Sequence, residues 1–221
     1  MKIKAVATDI DATITDEKRR ICINAIDALR KVEEKGINVM LVSGNVLPVA
    51  YALSIFIGTS GPIIAENGGV VFYNKKTFAF GKRNMRAYNF LKKKLKVKRL
   101  FTDRWRETAI AIEENVELEE IRRILSNWNL EVYSTGYGIH IMPRAINKWY
   151  GLKFGCKLLK IKPEEVLAFG DSDADIEMLK NCGVGIAVGN ANIRLKKIAQ
   201  HVVFGKYGNG VVEGLKKYGI I

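Results

Sequence analysis

Glutamine occurs once in the 221 residues, histidine twice and cysteine three times, as Cys22, Cys156 and Cys182. Each scarcity removes a class of function. Two histidines and three scattered cysteines make no zinc-type ligand spacing, and an odd number of distant cysteines makes no disulfide framework. The three read as buried, reduced thiols. No apolar run approaches the roughly 20 residues that cross a bilayer. There is no signal pattern either, since Met1-Lys2-Ile3-Lys4 leads straight into an apolar stretch. The expectation is a soluble, cytoplasmic protein with no membrane partner. Also missing is an aromatic-interleaved basic stripe. The net charge is +13, yet Lys and Arg are scattered, with local density only near Lys92, Lys93, Lys94, Lys96, Lys98 and Arg99. That pattern predicts a solvated basic face and no specific nucleic-acid partner.

What is present is a regular alternation of short apolar runs and helical periods. Strands are expected over 3–8, 37–42, 62–65, 166–169, 184–188 and 201–204, with helices over 22–35, 46–57, 149–159, 176–180, 193–198 and 210–218. Residues 70–73 and 77–80, joined by Asn74-Lys75-Lys76, read as a hairpin. Between 82 and 147 the texture changes, with helices expected near 86–95 and 118–128 and strands near 108–112, 131–133 and 138–142. The fold class that follows is α/β: a doubly wound, mainly parallel sheet core from residues 1–81 and 148–221, carrying an inserted α+β domain at 82–147.

In such a core, ligands bind beyond the carboxyl ends of the strands. Asp9-Ile10-Asp11 closes the first strand, and two carboxylates this close resist joint ionisation unless a cation relieves them. Ser43 closes the second strand and Asp171, with Asp175 beyond it, the strand at 166–169; Lys148 opens a helix. Oxygen ligands with several carboxylates suit a hard cation, Mg²⁺ most naturally. A lysine and a serine hydroxyl facing the same ion would hold a phosphoryl group. A strand-end carboxylate could then attack phosphorus, and a second one two residues on could serve the leaving group and water.

The order Asp9-Ile10-Asp11-Ala12-Thr13, Ser43, Lys148, Gly170-Asp171 with Asp175 resembles the four motifs of the haloacid dehalogenase superfamily of phosphatases. An insert between the serine and the lysine resembles its subgroup with a large α+β cap. Val42-Ser43-Gly44-Asn45, Gly58-Thr59-Ser60-Gly61-Pro62, Ala65-Glu66-Asn67-Gly68-Gly69 and Ile146-Asn147-Lys148 look like the archaeal phosphoglycolate phosphatase family. The resemblance implies Asp9 as nucleophile and metal ligand, and Asp11 as acid/base with its backbone carbonyl on the metal. It implies Ser43, Gly44, Asn45 and Lys148 as substrate-binding residues, Asp171 as a ligand of Mg²⁺, and Asp175 as a support of the metal directly or through water. The implied partner is a small phosphorylated metabolite, 2-phosphoglycolate first and a sugar phosphate second, acted on by a monomer or homodimer.

Two residues depart from the family pattern. Ala12 stands where Gly is usual, which costs roughly 1–2 kcal/mol if the position has positive φ. Ala174 stands where Asn is usual. Together they raise the alternative of a catalytically weakened phosphate-ligand-binding homologue. Elsewhere, Asp173 is expected to cap the following helix. Asn190 sits in a turn or at the site, and His140, His201 and the tryptophans read as structural. Arg104 and Arg106 lie in an insert loop from which a substrate carboxylate could be read.

Overall fold

The computed structural model describes residues 2–135 and 138–221. The chain begins β1 (Ala5–Asp9), α1 (Ile23–Glu34), β2 (Asn38–Val42), α2 (Leu47–Ile57), β3 (Ile63–Ala65), β4 (Val70–Tyr73) and β5 (Lys76–Ala79). It continues with α3 (Met85–Lys94), β6 (Ile110–Ile112), α4 (Leu118–Ile124), β7 (Leu130–Ser134) and β8 (Ile139–Pro143). It closes with α5 (Lys148–Leu159), β9 (Val166–Gly170), α6 (Ile176–Asn181), β10 (Val184–Ala187), α7 (Ile193–Ile198), β11 (His201–Val202) and α8 (Gly208–Lys217).

The larger sheet has the order β11-β10-β9-β1-β2-β3-β4-β5. It is parallel through β3 and ends in the antiparallel pair β4 and β5. Its central strands are apolar at almost every position because helices cover both faces. Ala5, Val6, Val39, Met40, Leu41, Leu167, Ala168 and Phe169 are all fully buried. The doubly wound, mainly parallel core with an α+β insertion therefore stands as the sequence pattern indicated. Among the described residues no helix is long and apolar enough to cross a membrane. Cys156 and Cys182 are buried, and burial pushes both thiols up to about 12. Cys22 is only half-buried, and all three are free.

The inserted sheet has the order β6-β8-β7 and is antiparallel. Side chains alternate across it. Ile110, Ile112, Val132, Ile139 and Ile141 join Leu91 of α3 and Ile121 of α4 in a second core. His140, between Ile139 and Ile141, and its register partner Tyr133 are thereby turned to the other face.

Several local expectations shift. The first strand extends to Asp9, leaving Asp11 in the turn beyond it, so the two carboxylates do not share a strand face. The hairpin closes in two residues, not three. Asn74 and Lys75 have φ of 47° and 62°, the left-handed pair whose twist matches that of the flanking strands. The helix expected over 118–128 stops at Ile124, and the strand expected over 201–204 stops at Val202. A 3₁₀ turn at Phe101–Trp105 was not signalled by periodicity.

One buried carboxylate gathers several donors of the insertion onto the core. Glu66, after β3, is fully buried with φ of 49°. Its Oε1 accepts from the Glu107 N–H at 2.7 Å, and its Oε2 from the N–H of Thr108, the Thr108 hydroxyl and the N–H of Ala109 at 2.9, 2.9 and 3.0 Å. The neighbouring Gly69 admits no side chain, since a Cβ there would lie 2.0 Å from Thr108 Oγ1. Replacing Glu66 by Ala leaves backbone donors of this segment orphaned in a dry site, each costing roughly 1–3 kcal/mol. We expect Glu66→Ala to lose about 3 kcal/mol or more in urea unfolding and Glu66→Gln to lose less; equal stability of Glu66→Ala and the natural chain would refute the tether.

Candidate active site

The carboxyl edge of the parallel strands collects groups from both ends of the chain. Asp9 is the last residue of β1 and is 4% exposed. Lys148, the first residue of α5, is 3% exposed. Its Nζ reaches across to Asp9 Oδ1 at 2.5 Å and to Asp175 Oδ1 at 2.7 Å. α5 is aimed at this edge by its cap, in which Asn147 Oδ1 accepts from the Tyr150 N–H at 2.9 Å. Gly151 sits so close to the core that a Cβ would meet Ile64 Cγ2 at 2.5 Å and Gly68 Cα at 2.7 Å. That contact fixes how deep Lys148 lies.

Asp175 is fully buried. Its Oδ2 accepts from the N–H groups of Asp171 and Ser172 at 3.1 and 3.0 Å and from Ser172 Oγ at 3.2 Å. The loop after β9 is thus folded onto one carboxylate. Gly170 permits this, because a Cβ there would lie 2.5 Å from Asp175 Cβ. Carboxylate oxygens of Asp9, Asp171 and Asp175 lie within 4.8 Å of one another, a grouping that could hold a metal ion. Three carboxylates against one ammonium leave the cluster two charges negative if all are ionised. The donor set is all oxygen and half to wholly buried, which fits a hard divalent cation.

The electrostatics carry the mark of that imbalance. Burial raises Asp9 well above the usual carboxylate range, Lys148 opposes this, and Asp175, Asp171 and Asp11 add to it. Asp171 is pushed up to about 7 by burial and by Asp175. Burial alone would lower Lys148, but Asp175 and Asp9 more than offset it and the ammonium is held above its ordinary value.

Asp11 stands apart from the carboxylate grouping. Its Oδ2 accepts from Asn45 Nδ2 at 2.6 Å, and its Oδ1 from Arg19 Nε at 3.2 Å with Arg19 Nη2 at 3.1 Å. Ser43 is fully buried behind Gly44 and Asn45, and its Oγ accepts from the Asn45 N–H at 3.0 Å. A cavity of about 800 Å³ opens over this edge, walled by Asp9, Asp11, Gly44, Asn45, Lys148 and Asp171 from the core and by Arg106, Tyr133 and His140 from the insertion. Of the residues singled out from sequence, Ser43 and Asp175 support that wall from behind, both fully buried.

Other expectations fare unevenly. Asp173 does not cap α6. It accepts from Asn192 Nδ2 at 3.0 Å and Arg194 Nη1 at 2.6 Å, while Ser172 and Asp175 form the capping box of this turn. Arg104 is exposed and lies over the Phe101 ring at 4.3 Å, whereas Arg106 is buried at the cavity. Trp105 is 44% exposed and packs edge-to-face on Phe101 at 5.1 Å, outside the buried cores. His140 is at the cavity and not simply in a core. Asn190 does reach the site loop, donating from Nδ2 to the Ala12 carbonyl at 2.8 Å. Asn67, Tyr133 and Arg19 also line the cavity and were missed. Asn67 lay inside the Glu66-Asn67-Gly68-Gly69 signature, but Tyr133 and Arg19 had no signal of their own.

Two outcomes follow. Ala12 has φ of 56°, so the strain anticipated from its side chain is present. Ala12→Gly should relieve about 1–2 kcal/mol of strain while adding about 0.4–1 kcal/mol of unfolded-chain entropy. A net gain of roughly 0.5 kcal/mol in denaturant unfolding is expected, and a loss would contradict it. For Asp171 the folded chain holds the proton more tightly than the unfolded chain, so its contribution to stability falls as pH rises from about 4 to about 7. In chelator, Asp171→Asn should gain on the natural chain across that window, by roughly 2–4 kcal/mol at its upper end. A pH-independent difference would contradict the assignment.

Comparison with known proteins places the chain in a family. The sequence profile of the haloacid dehalogenase-like hydrolases matches residues 6–100 and 81–215. A phosphoglycolate phosphatase of Methanothermobacter thermautotrophicus is 38% identical over 219 residues, covering 98% of this chain and 99% of the relative. One of Archaeoglobus fulgidus is 36% identical, covering 100% and 99%. A crystal structure of the Thermoplasma acidophilum protein 0175 superposes with a TM-score of 0.94 at 28% identity, covering both chains fully. The chain belongs to the haloacid dehalogenase-like hydrolase family.

Proposed function

We propose that this chain is a Mg²⁺-dependent phosphomonoesterase working through an aspartyl-phosphate, with 2-phosphoglycolate as its substrate. The single observation that carries the chemistry is the convergence of Lys148 on Asp9 and Asp175 beneath a cavity of about 800 Å³. Relatives named phosphoglycolate phosphatase, which match at 36–38% identity over nearly the whole chain, support that choice of substrate.

In this reading Asp9, Asp171 and Asp175, with the Asp11 backbone carbonyl, would hold the ion, Asp175 directly or through water. Bound Mg²⁺ would neutralise charge on the phosphoryl oxygens and permit Asp9 to ionise beside its neighbours. Lys148 orients Asp9 through Oδ1, leaving the second carboxylate oxygen to attack phosphorus. The phosphorus–oxygen bond to the alcohol breaks as Asp11 gives that oxygen a proton. Asp11 then takes a proton from water, the hydroxide displaces Asp9 from phosphorus, and phosphate leaves. Both Asp11 oxygens accept N–H donors, which suits its base half. Gly44, Asn45 and Ser43 shape the phosphoryl cradle. Residues 82–147 act as the cover that excludes water while the acyl-phosphate exists.

A second reading, a broader sugar-phosphate phosphatase, draws on the same cavity, whose volume exceeds the needs of a two-carbon acid. Phosphate release from 2-phosphoglycolate and a panel of sugar phosphates, with Mg²⁺ and with chelator, separates them. Turnover that is fastest on 2-phosphoglycolate, lost in chelator and reduced at least about 10³-fold in Asp9→Asn is expected. Undiminished activity of Asp9→Asn would end the proposed mechanism. Binding without turnover would instead favour a ligand-binding homologue weakened at Ala12 and Ala174.

A further inference from the structure

The cavity holds a buried cation that no counter-charge among the described residues contacts. Arg106 follows the 3₁₀ turn at Phe101–Trp105 and is 5% exposed. Its Nη2 donates to the Gly44 carbonyl at 3.0 Å. Its Nε and Nη1 are buried and have no hydrogen-bond partner among the described residues. Nor does any carboxylate among those residues lie within ion-pair distance of it. Glu66 is the strongest favourable charge it feels, but the Glu66 oxygens are taken by residues 107–109. The other arginines around the cavity differ: Arg19 is paired with Asp11, Arg122 with Glu119 and Arg194 with Asp173.

Beside Arg106 stands His140, 4% exposed, whose Nδ1 is likewise buried without a partner among the described residues. Its ring stacks on Tyr133 at 5.7 Å with 16° between planes. Burial, and then the adjacent guanidinium, hold His140 down at about 3, so it is neutral at pH 7 and adds a polar atom with no competing charge.

A guanidinium cannot shed its proton to escape burial. One bond to a neutral carbonyl is a small return for removing the ion from water. The arrangement becomes favourable when an anion enters. The Gly44 contact also fixes where that anion would sit, one residue from Ser43 and on the same cavity wall as Asp9 and Lys148. The anion and the phosphoryl group therefore belong to one short molecule.

We propose that Arg106, with His140 beside it, is the specificity site that takes the carboxylate of a short phosphorylated hydroxy acid whose phosphoryl group rests on Asp9 and Lys148. The proposal rests on the phosphatase reading above and deepens it. An ester of the same length with a methyl in place of the carboxylate leaves the guanidinium unanswered, which is how such a site rejects neutral analogues.

Non-hydrolysable ligands test this without turnover. 3-Phosphonopropionate carries the carboxylate, and n-propylphosphonate replaces it with a methyl group. Calorimetric titration of the full chain with each, in Mg²⁺, should show the carboxylate ligand bound at least about 30-fold more tightly. Arg106→Met should collapse that ratio to within about threefold, and Arg106→Lys, which keeps charge but not the planar fork, should give an intermediate value. The ratio is taken within one protein, so a general weakening of the fold cancels. A ratio near one in the natural chain, no binding of either ligand, or a full ratio retained in Arg106→Met would each overturn the proposal. Discrimination between the phosphonates with no ester hydrolysed would defeat the phosphatase reading and leave Arg106 only as the carboxylate contact of a ligand-binding site. Hydrolysis without discrimination would do the reverse.

Discussion

The ammonium of Lys148, held between Asp9 and Asp175, is the constraint on which the rest depends. Those carboxylates arrive on β1 and on the loop after β9, and the lysine on the first turn of α5. Asp9 could not stay ionised this deeply buried alone, because desolvation pushes it toward its neutral form. The ammonium answers part of that cost and also fixes one oxygen of Asp9 in place. It does not answer all of it, and the remaining negative charge makes the edge receptive to a cation and then to a phosphoryl group.

A similar logic governs how the insertion meets the core. Glu66 is buried because the backbone donors of residues 107–109 surround it, and Arg106 immediately precedes them in the same segment. The tether therefore delivers a guanidinium to the cavity roof. Glu66 and Asn67 occupy left-handed backbone, which costs energy for non-glycine residues. That strain is retained where the chain must turn one side chain toward the insertion and its neighbour toward the cavity. One short turn thus serves both fastening and recognition, and the geometry of the roof is coupled to that of the floor.

Much of this was legible from residues alone. The alternation of strands and helices, the interruption near residue 82 and the positions of Asp9, Ser43, Lys148 and Asp171 are written in local pattern. Strand ends are chemically conspicuous when they turn polar after an apolar run. Asp173 misled because a carboxylate before a helix usually caps it, and here a 3₁₀ turn capped by Ser172 and Asp175 intervenes while Asp173 meets Arg194. His140 misled because alternation along β8 turns it from the insertion's own core toward the cavity, and which face of that sheet meets the core is not a local property. Arg104 and Arg106 were indistinguishable in sequence; the 3₁₀ turn exposes one and buries the other.

The sequence by itself determined the fold class, the order of the elements and the chemical inventory at the strand ends, because periodicity, turn residues and side-chain type act over a few residues. Only the tertiary structure decided which charges answer one another. Pairing Lys148 with Asp9 spans 139 positions of chain, and leaving Arg106 without a carboxylate in contact among the described residues depends on where Glu66 and Asp103 finish. Coulombic and desolvation energies depend on distance in space and on burial, and neither quantity is fixed by separation along the chain.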